Sequence, residues 1–328
     1  MADQNQQIID LCFTVDTDTD HFFGNMHQYQ NPTDKSIVGW RGFNEGKILL
    51  TEIADEVFDS FGNKLNITWF VRCDYQLRTV HGSYTYLLDQ NEKWWTTRLA
   101  AGDDVQWHAH LYRHKEGEWY QTTNPTEIAE EIFSGKLSME KFGIKPTVVR
   151  IGEAFHSNDI MEVVESVGIQ ADATAIPGRI RIDNEKTLDW ENTPNHPYRP
   201  SRSDYRIPGK EIRKIWEIPM NTVKTQVSYD TSPLLRYVNP AFHPGVLDLG
   251  LKEFMEHHAV LTTICHPYEI LPDFFSDSSL RNHPLLSFSP EAIHRNISVI
   301  FSAAESVGKK VRFVTMTQLM NRLNGDDV

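Results

Sequence analysis

Cysteine is scarce in this chain, with three residues (Cys12, Cys73 and Cys265) in 328. Three cannot build a disulfide framework, and none stands in a CxxC pair of the metal-binding kind. Long apolar runs are missing too. None reaches the roughly 18 residues a membrane helix needs. The stretch MADQNQQIIDLCF carries neither the basic nor the long apolar region of a secretion signal, so a soluble, cytoplasmic protein is expected. Positive charge is in deficit, 32 Lys and Arg against 45 Asp and Glu, for a net charge of −13. That balance argues against nucleic acid as a partner. Hydrophobic residues make up 40% and charged residues 23%, the proportions of a folded globular chain rather than a disordered or collagenous one. The length accommodates one large α/β domain or two small ones.

Short apolar runs alternate with amphipathic ones from end to end. Residues 7–15, 65–73, 147–151, 213–219, 259–265 and 311–315 have the length and β-branched content of buried strands. Ile48, Leu49, Ile53, Val57 and Phe61 are spaced as on one helix face over 46–61, and Gly62 stops the run. Ser157 or Asn158 caps a helix through Val167, closed by Gly168. Pro290 opens another that runs to about Ser306, and a terminal helix follows the last strand. Alternation of this kind predicts parallel βα units. Residues 176–213 break the rhythm with Pro177, Pro194, Pro197, Pro200 and Pro208 and are read as a long insertion. With no internal repeat and no clear boundary, a single domain over 1–328 is expected.

Four predicted strand ends carry polar groups: Asp16, Asp18 and Asp20; His108, His110 and His114; Arg150; and His266. Chemistry in parallel α/β folds collects where strands end. Each group alone has a structural reading as turn, solvated loop, ion pair or core histidine. Together they offer a specific chemistry. One Asp and two imidazoles form a three-ligand site for zinc or a similar divalent ion and leave a position for water. A second carboxylate removes the water's proton, a cation holds that carboxylate ionised, and a separate His protonates a leaving amine. This is metal-assisted amide or ester hydrolysis.

The order of these motifs resembles the polysaccharide deacetylase family of carbohydrate esterases, thinly and over nearly the whole chain. FTVDTD resembles the family's paired acids in a variant with one residue between them, which implies Asp16 as base and Asp18 as metal ligand. NITWFVRCD resembles the second strand. AGDDVQWHAHLYRH resembles the segment whose histidine is a ligand, which implies His108. The family's usual second His, four residues on, is here Tyr112. The ungapped GDDVQW favours His108 with His110, and His114, four residues from His110, is the substitute. RIGEAFHSNDIMEVVESVGIQAD resembles the motif whose Arg orients the catalytic Asp, a role that falls on Arg150, with Asp172 as structural. TTICHPYE resembles the strand ending in the general acid, here His266. The His-Pro-aromatic-Glu form, HPYRPS and IWEIP look like a divergent branch with WalW-type sequences.

The resemblance implies an irregular (β/α) barrel of about seven parallel strands and a divalent metal, zinc before cobalt or nickel. It also implies removal of an N-acetyl or other acyl group from an amino sugar or glycan precursor. Other readings stay open: a deacylase on a non-glycan or nucleotide-linked substrate, and a sugar-binding member without catalysis. In the insertion, Arg199, Arg202, Arg206, Lys210, Arg213 and Lys214 face only Asp204 and Glu211. They either bind a phosphate or carboxylate or pair with the acidic body. Trp40, Trp107 and Trp190 either stack on sugars or fill the core. The sequons at Asn66 and Asn296 lie in a predicted strand and helix and are discounted. Oligomeric state is not legible.

Overall fold

The computed structural model describes residues 7–20, 39–116, 118–183, 186–274 and 283–325. In chain order, β1 (Ile8–Asp16) is followed by α1 (Arg41–Glu56), β2 (Thr68–Arg72), α2 (Tyr75–His81), α3 (Tyr86–Gln90) and α4 (Glu92–Ala100). Next come β3 (Asp104–Ala109), β4 (Tyr112–Lys115), β5 (Glu118–Gln121), α5 (Pro125–Phe142), β6 (Val148–Ile151), α6 (Asn158–Ser166) and β7 (Ala171–Asp172). Then follow β8 (Ile180–Asp183), β9 (Lys186–Asp189), β10 (Trp216–Glu217), β11 (Thr222–Thr225), β12 (Leu234–Tyr237) and α7 (Asp248–His257). The chain ends with β13 (Val260–Cys265), α8 (Pro290–Ser306), β14 (Lys310–Phe313) and α9 (Met316–Asn324).

Two compact units are present. The first comprises the residues up to Val15, Arg41–Thr68 and those from Met220 onward. There β1 pairs in parallel with β13, Asp10 opposite Val260 through Val15 opposite Cys265, and with β14, Ile8 opposite Lys310 through Leu11 opposite Phe313. From Leu11 to Asp16 every residue of β1 is buried, as expected of a parallel strand covered on both faces. The second unit comprises Asp16–Trp40 and Trp69–Pro219, with strand order β10-β7-β6-β3-β2, parallel from β10 to β3. The α/β class and the parallel arrangement are those the alternating pattern predicted.

The differences from expectation have local causes. The first helix lies five residues earlier than 46–61, at Arg41–Glu56. Beyond it the Asp59 carboxylate accepts the backbone N–H groups of Phe61 (2.8 Å) and Asn63 (2.9 Å), and Gly62 takes φ 83°. This turn satisfies the chain better than another helical turn would. The strand expected over 213–219 shrinks to Trp216–Glu217. Helices α2 to α5 lie between the strands expected at 65–73 and 147–151, and Asn124, Pro125 and Gly143 bracket α5 with a standard cap, N1 proline and C-terminal glycine.

The insertion is ordered by the antiparallel β8–β9 pair and by single bridges Tyr198–Glu217 and Ser201–Ile212; positions 184 and 185 lie outside the described residues. Its arginines pair partly with α6 and partly within the insertion. Arg213 is buried and meets Glu162 at 2.6 Å and Glu165 at 3.3 Å. Arg206 pairs with Asp204 at 2.9 Å and also with Asp189, and Arg199 lies 4.4 Å over the Trp216 ring.

One glycine fixes how α1 meets the turn after β13. A Cβ at Gly46 would stand 2.0 Å from the Pro267 carbonyl oxygen and 2.6 Å from its carbon. Backbone cannot yield as a side-chain tip does. The helix-propensity gain of alanine, up to about 1 kcal/mol, is therefore set against an overpacking cost of about 1–3 kcal/mol or more. Gly46→Ala is expected to lower stability in denaturant unfolding, and an unchanged midpoint would contradict this packing.

Candidate metal centre

Parallel register brings polar strand ends together in the second unit. His108 on β3 stands opposite Arg150 on β6, Val149 opposite Asp172 on β7, and Asp172 opposite Glu217 on β10. The Asp16–Asp18 segment is fastened to β2 twice. Thr17 donates its N–H to the Phe70 carbonyl (3.1 Å), and its hydroxyl accepts the Arg72 N–H (2.9 Å). The segment therefore cannot turn away from the β3 end without losing buried hydrogen bonds.

Asp18, His108 and His110 converge, each buried, with ligand atoms all within 4.8 Å of one another. His110 Nε2 lies 3.0 Å from Asp18 Oδ1 and 3.0 Å from His108 Nε2, and His108 Nε2 lies 3.5 Å from Asp18 Oδ1. Bonds near 2.0–2.1 Å in tetrahedral coordination put ligand atoms about 3.3 Å apart, so the trio fits a small divalent ion. The His108 tautomer is fixed as well. Its Nδ1–H donates to the Arg150 carbonyl at 2.9 Å, which directs the Nε2 lone pair into the cluster. His108 is on β3 and His110 is one residue past its end, so the pair follows the i, i+2 alternation by which strand residues share a face. His114 is not in the cluster. It sits on β4 opposite Trp119, its ring 5.2 Å from that indole.

The charges around the trio act in opposed directions. Burial alone would raise the Asp18 pKa, but the fields of His110 and His108 and their hydrogen bonds hold it well below the usual carboxylate range. Burial pulls His108 down, yet Asp16 and Asp18 outweigh it and raise that imidazole. His110 is lowered, by burial first and then by the Arg72 guanidinium. Arg72 lies 3.8 Å from Asp18 Oδ1 and is itself anchored by Asp74 at 2.6 Å and by Gln76. Arg150 donates from Nη1 to Asp16 Oδ1 at 2.6 Å and from Nε to the Ala173 carbonyl at 2.9 Å, with its guanidinium 4.0 Å over the Phe70 ring. Burial, and then the Asp172 carboxylate, push Glu217 well above its ordinary value. Asp172 accepts from His156 Nε2 at 2.7 Å and also from Thr174, a structural network as expected.

In the other unit, His266 follows β13. Its Nδ1–H donates to Glu269 Oε1 at 3.1 Å, its backbone N–H donates to Glu269 Oε2 at 2.9 Å, and Asn239 donates to Glu269 Oε2 at 2.8 Å. Asp20 is not in the trio; its N–H donates to the Gly39 carbonyl. Trp107 and Trp190 are fully buried and donate to the Cys73 and Ala154 carbonyls, which makes them core residues rather than sugar platforms. Trp40 is buried too, with its indole N–H on His81. Sequence reasoning missed Arg72, Tyr112 and Glu153. Arg72 was signalled by a charge ending the apolar run of β2. The Tyr112 ring lies 4.8 Å from that of His110, and its hydroxyl donates to Glu153 Oε1 at 2.5 Å.

No family model matches the chain, and no curated protein matches it. Several solved structures resemble it, two of them at a TM-score above 0.5 over nearly the whole chain. One is a candidate polysaccharide deacetylase from Mycobacterium smegmatis, at TM-score 0.53 and 14% identity, covering 99% of this chain and 93% of that one. The other is the Puue allantoinase, at TM-score 0.51 and 13% identity, covering 98% of this chain and 92% of that one. At these identities the likeness establishes the fold, which is that of polysaccharide deacetylases, as the motif order implied.

Two outcomes follow from the geometry. A Cβ at Gly152 would fall 2.5 Å from the His110 ring, so Gly152→Ala is expected to displace that imidazole and weaken zinc binding at least tenfold in chelator competition. Because ligands must be deprotonated, a proton held more tightly by His108 competes with metal at higher pH than an ordinary imidazole near 6.5 does. Zinc affinity should begin to fall above that pH as acid is added. A flat affinity between pH 8 and 6 would refute this.

Proposed function

We propose that the chain, 1–328 as a whole, is a metal-dependent hydrolase that removes an N-acetyl or other acyl group from an amino sugar or glycan precursor. The observation that carries this reading is the convergence of Asp18, His108 and His110, with Asp16 held by Arg150. A divalent ion held by that trio, zinc before cobalt or nickel given two imidazoles and one carboxylate, would polarise an acyl carbonyl and bring the pKa of a water to about 7. Arg150 occupies Asp16 Oδ1, which leaves Oδ2 to take the attacking water's proton. The leaving amine's proton is assigned to His266. Glu269 accepts its Nδ1–H, so Nε2 is the atom that exchanges the proton. The His-Pro-aromatic-Glu form and the HPYRPS and IWEIP stretches support a place in the divergent WalW-type branch.

A second reading is favoured by the likeness to an allantoinase. The same residues would serve an amidase acting on a non-glycan substrate. A panel of acylated amino sugars set against non-glycan amides, allantoin among them, separates the two by which is hydrolysed. Sugar binding by metal-loaded protein with no hydrolysis of either would favour a binding role.

Asp16→Asn tests the chemistry. Asp16 is not in the ligand trio, so the variant should keep about one equivalent of metal by elemental analysis. Acetate release should fall by roughly 10²–10⁴-fold, the usual contribution of a general base. Full activity in that variant would reject the assignment.

A further inference from the structure

We propose that Glu153, held by Tyr112, is a substrate-reading carboxylate beside the metal centre, and that the substrate it admits is neutral or cationic and bears hydroxyl or amine donors, not phosphate or carboxylate. The proposal rests on the hydrolase reading above and narrows its substrate class.

Placement is the first argument. Glu153 follows Gly152, which abuts the His110 ring, and Tyr112 touches both that ring and the Glu153 carboxylate. Only one carboxylate oxygen is used, since Oε1 accepts from the tyrosine and Oε2 has no hydrogen-bond partner among the described residues. The residue is partly exposed although its neighbours on both sides are buried. A fixed, half-solvated acceptor next to the metal ligands suits a substrate N–H or O–H.

The backbone supplies the second argument. Glu153 and Ala154 both have φ 57°, in the left-handed region that glycine enters freely and other residues enter at a cost. Two strained residues in a row directly beside a metal centre are the pattern expected where side-chain placement outweighs local stability. Glycine at 153 would relieve that residue's share of the strain while removing the carboxylate and with it the acceptor of the Tyr112 hydroxyl.

Charge is the third. Tyr112 and Gly152 connect the Glu153 carboxylate to the trio that holds Asp18, and the guanidinium groups beside Asp16 and Asp18 are engaged, Arg72 by Asp74 and Gln76, Arg150 by Asp16 and the Ala173 carbonyl. Arg199, Arg202, Arg206 and Arg213 of the insertion are engaged as well. A divalent ion at the trio would offset Asp16 and Asp18 but is not ligated by Glu153, and among the described residues no uncommitted arginine stands by that carboxylate, so an anionic group of the substrate placed against Glu153 would meet like charge.

The test uses zinc-loaded protein and calorimetric binding of tri-N-acetylchitotriose and of N-acetylglucosamine 1-phosphate, with zinc content and Tm recorded for each variant. Wild type should bind the neutral sugar at least tenfold more tightly than the phosphate. Glu153→Gln should weaken neutral-sugar binding about tenfold or more, the worth of one hydrogen bond to a charged group, and narrow the preference. Glu153→Gly should weaken binding similarly while Tm holds or rises. The proposal is overturned by a Kd within twofold of wild type in both variants, by preference for the phosphate, by binding of neither ligand, or by loss of zinc in Glu153→Gln. Acetate release distinguishes the two readings. Hydrolysis that is indifferent to Glu153 removes this proposal alone, whereas Glu153-dependent binding with no hydrolysis removes the hydrolase reading alone.

Discussion

Arg150 carries a full charge at 1% exposure, and the candidate site is arranged around how that charge is satisfied. Its side chain meets Asp16, its Nε meets the Ala173 carbonyl, and its own carbonyl takes the Nδ1–H of His108. One residue thus orients the carboxylate proposed as base and selects the tautomer of a candidate metal ligand. Register makes this feasible, because His108 and Arg150 stand directly opposite on neighbouring parallel strands. A guanidinium buried without these partners would cost several kcal/mol. The sheet, the base and the ligand are therefore coupled, and none can shift while the others stay.

Much of this arrangement was legible in the sequence, and the reasons are specific. Parallel strands buried on both faces read as continuous apolar runs, so polar residues closing them stand out. That is how Asp16, Asp18, His108, Arg150 and His266 could be picked without coordinates. The choice of His110 over His114 was also open to physical reasoning, since i and i+2 share a face in extended chain while i and i+4 do so in a helix. What could not be read were partners set by tertiary contact. Arg72 lies far in sequence from Asp18, Tyr112 from Glu153, and nothing local announces either pairing. The last turn of the helix expected over 46–61 does not form for a similar reason. Its apolar spacing continued through Val57 and Phe61, but the side chain of Asp59 redirected the backbone.

The insertion shows how composition can mislead about function. A local excess of arginine and lysine in a chain of net charge −13 looks like an anion site. Its arginines instead attach a proline-rich excursion to α6, to Trp216 and to its own carboxylates. Loop backbone needs such anchors where no ladder supplies hydrogen bonds, and guanidinium groups suit the task because each can bridge several acceptors. The excess is thus used in holding the excursion in place.

Tyr112 at the position where the resembled family usually carries its second histidine has a structural consequence. In the candidate trio His110 supplies the second imidazole from the i+2 position, and a further imidazole at 112 would crowd the same space. The side chain there is instead a phenol, which packs on His110 from one side and hydrogen-bonds a carboxylate on the other. Moving the ligand two residues toward β3 therefore frees a neighbouring position to organise the wall of the site, and the left-handed turn at Glu153 brings the carboxylate to meet it. The departure at 112 leaves Asp18, His108 and His110 together as a candidate ligand set. It retains three donor atoms and adds a polar contact that the histidine arrangement would not provide.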